Sequence, residues 1–115
     1  MGGLEGGEMS LDFYLEKTMP VDVFGANITH NLGEMADHAG VYECLWHPKE
    51  NGYTKAVQII PILESGLVVL LADPEHFKQY DAPNGWGTYK NFVTFVQKCL
   101  DACRKHPDAV PRSSV

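Results

Sequence analysis

Residues 10–27 read SLDFYLEKTMPVDVFGAN, and whether they form strand or helix separates an α+β chain from an all-α one. Positions 10–17 alternate roughly between apolar and polar and carry two aromatics, which predicts a strand. After a turn at Thr18–Pro20, the run VDVFGAN reads as its partner in a hairpin. Phe13 and Leu15 then share one face, and Val21 and Val23 are expected towards the same core. A two-stranded ribbon is marginal by itself, so the rest of the chain must supply helices to cover it.

The following stretch, NITHNLGEMADH at 27–38, reads as a helix start. Asn27, Thr29 and Asn31 are all competent N-caps, and Asn31 to Glu34 has capping-box spacing. Leu32, Met35, Ala36 and Ala39 make the apolar stripe, and Gly40 is a natural stop. Val41–Trp46 is either a short helix or an extended piece, ended by Pro48 and the Asn51–Gly52 turn. From Thr54 to Ala72 the pattern predicts a helix capped by Thr54, with Ile60, Leu63, Leu67, Leu70 and Leu71 on its apolar side. Pro61 should kink or split that helix, because it removes a backbone donor. A strand over LVVLL competes, since a fully apolar run has no diagnostic period.

Asp73–Pro74 opens one further helical turn. Beyond the glycine-rich loop at 80–89, Thr88 or Gly87 caps the clearest helix, with Phe92, Phe95, Val96, Cys99, Leu100 and Cys103 inward and His106–Pro107 as its end. The tail AVPRSSV reads as a short strand that Pro111 confines to an edge. The predicted fold is therefore a small single α+β domain over residues 10–115, about four helices packed on a short N-terminal β-ribbon. Residues 1–9 read as a flexible extension.

With 115 residues, 44% hydrophobic and 21% charged, the chain can bury a modest core. A net charge of -6 with no basic patch argues against nucleic acid as a partner. Lys98, Arg104 and Lys105 lie at a helix end, where they suit its dipole. The longest apolar run, GLVVLLA at 66–72, is far below the ~20 residues a bilayer span needs, so no membrane partner is expected. The first ten residues do not read as a signal peptide. Cys44, Cys99 and Cys103 have no CxxC spacing and read as buried free thiols in a reducing cytoplasm.

Three site readings arise. His30, Glu34 and His38 fall four apart, which on an unbroken helix makes one ridge able to hold a divalent ion, with Cys44 or His47 as added ligands. A solvated helix face explains the same spacing. The second combines Asn27, Thr29, His30 and Asn31 with the loop residues Asn84, Gly85 and Trp86. Trp46, Trp86, Tyr42 and Tyr89 act as flat walls, and Gly85 and Gly87 permit close main-chain approach. Here too caps and a core tryptophan are the plain alternative. Catalysis has the least support: GxSxG, P-loop and GxGxxG are missing, and a Cys44 pairing with His47 or His30 is not required by any spacing.

Taken together, ANITHNLGEMADHAGVYECLWHP, IIPILESGL, DPEHFKQY and PNGWGTYKNFVTFVQKCLDAC resemble a family of short phage and bacterial proteins with patterns like NITHNLG…YxxLW.P…PNGWG. The resemblance spans about Met9 to Asp108. It implies that Asn27, Thr29, His30, Asn31, Trp46, Asn84, Gly85, Trp86 and Gly87 occupy pattern positions, whereas His38, Cys44 and His47 do not. It also implies a phage setting, in which small proteins act on host processes, including by sequestering nucleotide signals of host immunity.

The leading expectation is a non-enzymatic binder of a small, nucleotide-like ligand, with no cofactor. The alternatives are an interaction module or homo-oligomer using the aromatic surface, and a metal-dependent enzyme using the His30/Glu34/His38 ridge.

Overall fold

The computed structural model describes residues 10–16, 22–29, 32–81 and 87–114. Its sheet has three antiparallel strands in the order β2-β1-β3: β1 (Ser10–Glu16), β2 (Asp22–Thr29) and β3 (Val110–Ser114). Five α-helices are described: α1 (Gly33–Ala39), α2 (Tyr42–Trp46), α3 (Ile60–Ala72), α4 (Pro74–Lys78) and α5 (Tyr89–Lys105). A 3-10 turn at Ala56–Gln58 precedes α3. This is the expected small α+β domain, and the tail is the expected edge strand.

β1 lies in the middle and alternates cleanly. Leu11, Phe13 and Leu15 are fully buried, while Asp12, Tyr14 and Glu16 are half-buried on the other face. The inward set of β2 is described from Phe24 onward. Leu11, Phe13 and Leu15 pair with Ile28, Ala26 and Phe24, so these three residues, packed against the core, form the inward set. A register shift between Leu15 and Glu16 lets Asp22 pair with Glu16 and skips Val23. The expected core positions of Val21 and of the Val23 side chain lie outside what is described.

The expected caps also move. Asn27 and Thr29 lie within β2, paired to Asp12 and Ser10. Leu32 is the N-cap of α1 with no side-chain cap bond, and Asn31 of the expected capping box lies outside the described residues. Leu32, Met35, Ala36 and Ala39 are buried as expected. Gly40 closes α1 at φ +82 in a Schellman arrangement, its amide donating to Asp37 O (3.0 Å) while Val41 donates to Ala36 O (2.9 Å).

The helix predicted from Thr54 begins at Ile60. Pro61 stands in its first turn, where a missing amide costs nothing, and so it starts the helix without kinking it. Thr54 is no cap: its amide and that of Lys55 donate to the Gln58 side chain at 2.7 and 3.0 Å. Leu63, Gly66, Leu67 and Leu70 face inward, but Leu71 is 60% exposed, against expectation. α5 follows the expected pattern, with Thr88 Oγ1 accepting from the Asn91 amide (3.2 Å) as N-cap.

Several bonds set these layers together. Tyr89 donates its hydroxyl to Leu70 O (2.7 Å), and Arg104 pairs with Glu64 (2.8 Å), fixing α5 to α3. Ala56 donates to Ala109 O (2.7 Å), and Ser113 Oγ donates to Leu45 O, tying β3 to the helices. Arg112 of β3 pairs with Glu16 (2.8 Å) and lies over the Tyr14 ring, 4.5 Å from its centre. None of the described helices is long and apolar enough to cross a membrane.

Candidate functional site

β2 is an edge strand, and among the described residues its outer edge pairs with no other strand. α5 packs beside it, leaving a groove. Two hollows line that groove and share Phe24 and Lys98. One, of about 350 Å³, runs along Phe24–Ile28 against Asn91, Thr94 and Phe95. The other, of about 280 Å³, lies between Phe24 and Asp101, Ala102, Lys105 and His106.

The groove follows from the two sequence patterns. Phe24, Ala26 and Ile28 are only half-buried, because among the described residues no further strand lies beyond this edge. α5 turns its buried Phe95 and Ala102 towards the sheet and lifts Asn91, Thr94, Lys98 and Lys105 to the rim. Strand and helix run in opposite senses, since Ile28 lies by Asn91 while Phe24 lies by Lys105. The resulting surface has an apolar floor, amide and hydroxyl groups at one end and ammonium groups at the other.

Lys98 and Lys105 form no ion pair among the described residues. Asp101 lies between them, but its carboxylate accepts from Gln97 Nε2 (2.9 Å) and faces Arg104 Nη1 (3.7 Å). The rim therefore offers positive charge in a chain whose net charge is -6.

Of the residues expected to make a site, Asn27 is exposed on β2 and lines the larger hollow. Thr29 ends β2, its side chain not among those described. His30, Asn31, Asn84, Gly85 and Trp86 lie outside the described residues. Trp46 is a core residue: it is 2% exposed, with its ring stacked on Tyr42 (5.2 Å) and near Phe92 (6.5 Å). It presents no free wall to solvent, and its indole Nε1 is buried without a hydrogen-bond partner among the described residues. Tyr89 is half-buried, its hydroxyl engaged by Leu70 and its amide by Asp81 (2.6 Å), so it positions α5 and does not line the groove.

The ridge residues Glu34 and His38 are both exposed on α1. His38 stacks on Tyr80 (4.9 Å) and lies 6.0 Å from His76, centre to centre. Among the described residues no group of three His, Cys, Asp or Glu could hold a metal ion. Cys44 is buried and donates to Val41 O (3.4 Å), and His47 Nε2 is 3.4 Å from the Tyr42 hydroxyl, so neither extends the ridge.

Cys44, Cys99 and Cys103 are free and buried. Burial first, then neighbouring Cys103, pushes the Cys44 thiol up to about 12. Cys103 rises to about 12 through burial, and Cys99 rises well above the usual thiol range for the same reasons as Cys44. A buried thiol with a raised pKa is a poor nucleophile at neutral pH, and His30 of the suggested pairing lies outside the described residues.

The solvent side of α3 is also unusual. Val68 is 69% exposed, Leu71 60% and Val69 43%, so this helix is apolar on both sides.

No family model, curated protein or solved structure matches the chain.

Sequence reasoning did not find Phe24, Asn91, Thr94, Lys98 and Lys105 as neighbours. Asn91, Thr94, Lys98 and Lys105 lie on the polar side of a recognisable amphipathic helix, but that the side borders an open strand edge follows only from the order β2-β1-β3.

Proposed function

We propose that this chain is a non-enzymatic binding protein whose ligand lies in the groove between β2 and α5. One observation carries the reading: two hollows share Phe24 and Lys98 along a strand edge that is unpaired among the described residues. Their volumes, about 350 and 280 Å³, together reach the range of ordinary ligand sites, and their mix of apolar floor and a few polar groups is that of a binding surface. Lys98 and Lys105 favour a ligand that brings negative charge. The phage resemblance supports action by sequestration, with a host molecule held and not transformed.

The test is amide chemical-shift mapping with two probes, a nucleoside triphosphate and an acidic peptide. The reading expects at least one to shift residues 24–28 and 91–106 together. Shifts confined to α1 and α4, around His38 and His76, would refute it. Bound ligand should also raise the melting temperature, since ~100-fold excess over Kd adds about 2.7 kcal/mol.

Association of copies through α3 is a second reading, favoured by the exposed Val68, Val69 and Leu71. At 13 residues α3 is only about 20 Å long, so this contact alone falls short of the ~800 Å² per partner of a standard interface. Light scattering over a concentration series separates the readings: a dimer lost on Leu71→Lys supports the second, and a monomer throughout removes it.

A further inference from the structure

We infer that the occupant of this groove is an extended, acidic peptide segment of another protein, added to β2 as a fourth strand. The inference rests on the groove being the binding site and goes on to name what binds there.

The two edges of the sheet are built differently. β3 carries Pro111, which has no amide to offer, and Arg112, a charge that discourages pairing. β2 is eight residues long and contains neither proline nor lysine nor arginine. In an antiparallel strand alternate residues turn both backbone groups away from the existing partner. About half of β2 therefore presents donors and acceptors outward, and a strand bound there would satisfy them.

The hollows lie where such a strand would put its side chains. From Phe24 to Ile28 the edge extends about 13 Å at ~3.3 Å per residue. An added strand would sit about 4.8 Å away, with every second side chain entering the groove over Phe95 and Ala102. Lys98 and Lys105 are seven residues apart on α5, about 10 Å along its axis. Their flexible stems reach carboxylates on alternate residues of an extended chain.

A second copy fits less well. Pairing β2 with β2 about a two-fold axis would bring the two α5 helices side by side, with Lys98 and Lys105 facing their like. The segment DVFGANIT also offers only one carboxylate.

The test uses the full chain and a synthetic eight-residue peptide of alternating glutamate and valine. One control replaces each glutamate by lysine, and another is N-methylated on alternate residues along one edge. The inference expects saturable binding of the glutamate peptide that weakens with salt and shifts residues 24–28. The lysine control should not bind, and N-methylation should weaken binding at least tenfold. K98E/K105E should also weaken it at least tenfold with an unchanged circular dichroism spectrum, both side chains being exposed. Equal binding of the N-methylated peptide overturns strand addition. A nucleoside triphosphate shifting the groove while the peptide does not overturns the occupant and leaves the groove as a site. If neither shifts it, both readings fall.

Discussion

Gly66→Ala would add a single methyl group where α3 crosses the α1–α2 connection. A Cβ on Gly66 would overlap Val41 Cγ1 and lie 3.3 Å from the Ala39 carbonyl oxygen. Val41 is fully buried and β-branched, so it has one preferred rotamer and little room to turn aside. Alanine in a helix interior is favoured over glycine by about 1 kcal/mol. Overpacking a filled core costs about 1–3 kcal/mol. The net expectation is destabilisation by about 1 kcal/mol, a fall in Tm of about 4 °C for a chain of this size. Val41→Ala alone should cost about 2 kcal/mol through lost burial and a cavity. In that background Gly66→Ala fills space and regains helix propensity, so its sign should reverse and stabilise by about 1 kcal/mol. The cycle therefore predicts a coupling of about 2 kcal/mol, read from urea unfolding of the four proteins. A Gly66→Ala protein more stable than the parent, with no coupling to Val41, would refute the packing described.

Thr88→Ala should lose about 1 kcal/mol by removing the bond to the Asn91 amide, seen as a lower urea midpoint with unchanged m. The cysteines set the alkaline limit. A thiol whose folded pKa lies above its unfolded value keeps its full contribution below the unfolded pKa, near 9, and loses it as pH rises towards the folded one, about 12 for Cys44 and Cys103. Each of these two should cost about 1.4 kcal/mol per pH unit in that window, so urea midpoints should hold to pH 8.5 and fall by pH 10. A thiol reagent at neutral pH should leave the native protein unlabelled and modify all three cysteines in urea. Val68→Lys should change stability by less than about 0.5 kcal/mol, because that side chain is 69% exposed.

How far the sequence could be read depended on whether neighbours in the chain decided the matter. β1 was legible because Phe13 and Leu15 keep one phase. β2 turns Phe24, Ala26 and Ile28 inward through its pairing with β1, with a register shift beside Leu15 that no local pattern announces. Asn27 and Thr29 are good caps by type, yet Asp12 and Ser10 stand opposite them and draw them into the strand. Pro61 reads as a breaker or as an initiator depending only on where the helix begins. α3 is apolar throughout, so its pattern could not show that Leu70 is buried and Leu71 exposed. Trp46 has the same sequence signature as a core plug or a binding wall, and its enclosure beside Tyr42 shows it to be core. Asn27 was expected beside a helix start, and it lies instead in an edge strand along the groove to α5. Its groove exists because β2 lies at an edge, a fact of strand order that no local window contains.

The most direct test of the account is hydrogen exchange of the β2 amides, Asp22 to Thr29, with and without the alternating glutamate–valine peptide. Binding along the groove predicts that alternate amides of β2 exchange readily in the free protein and slow at least tenfold in the complex, with β3 unchanged. Exchange in β2 that is the same in both samples, under conditions where the peptide is bound, would contradict it.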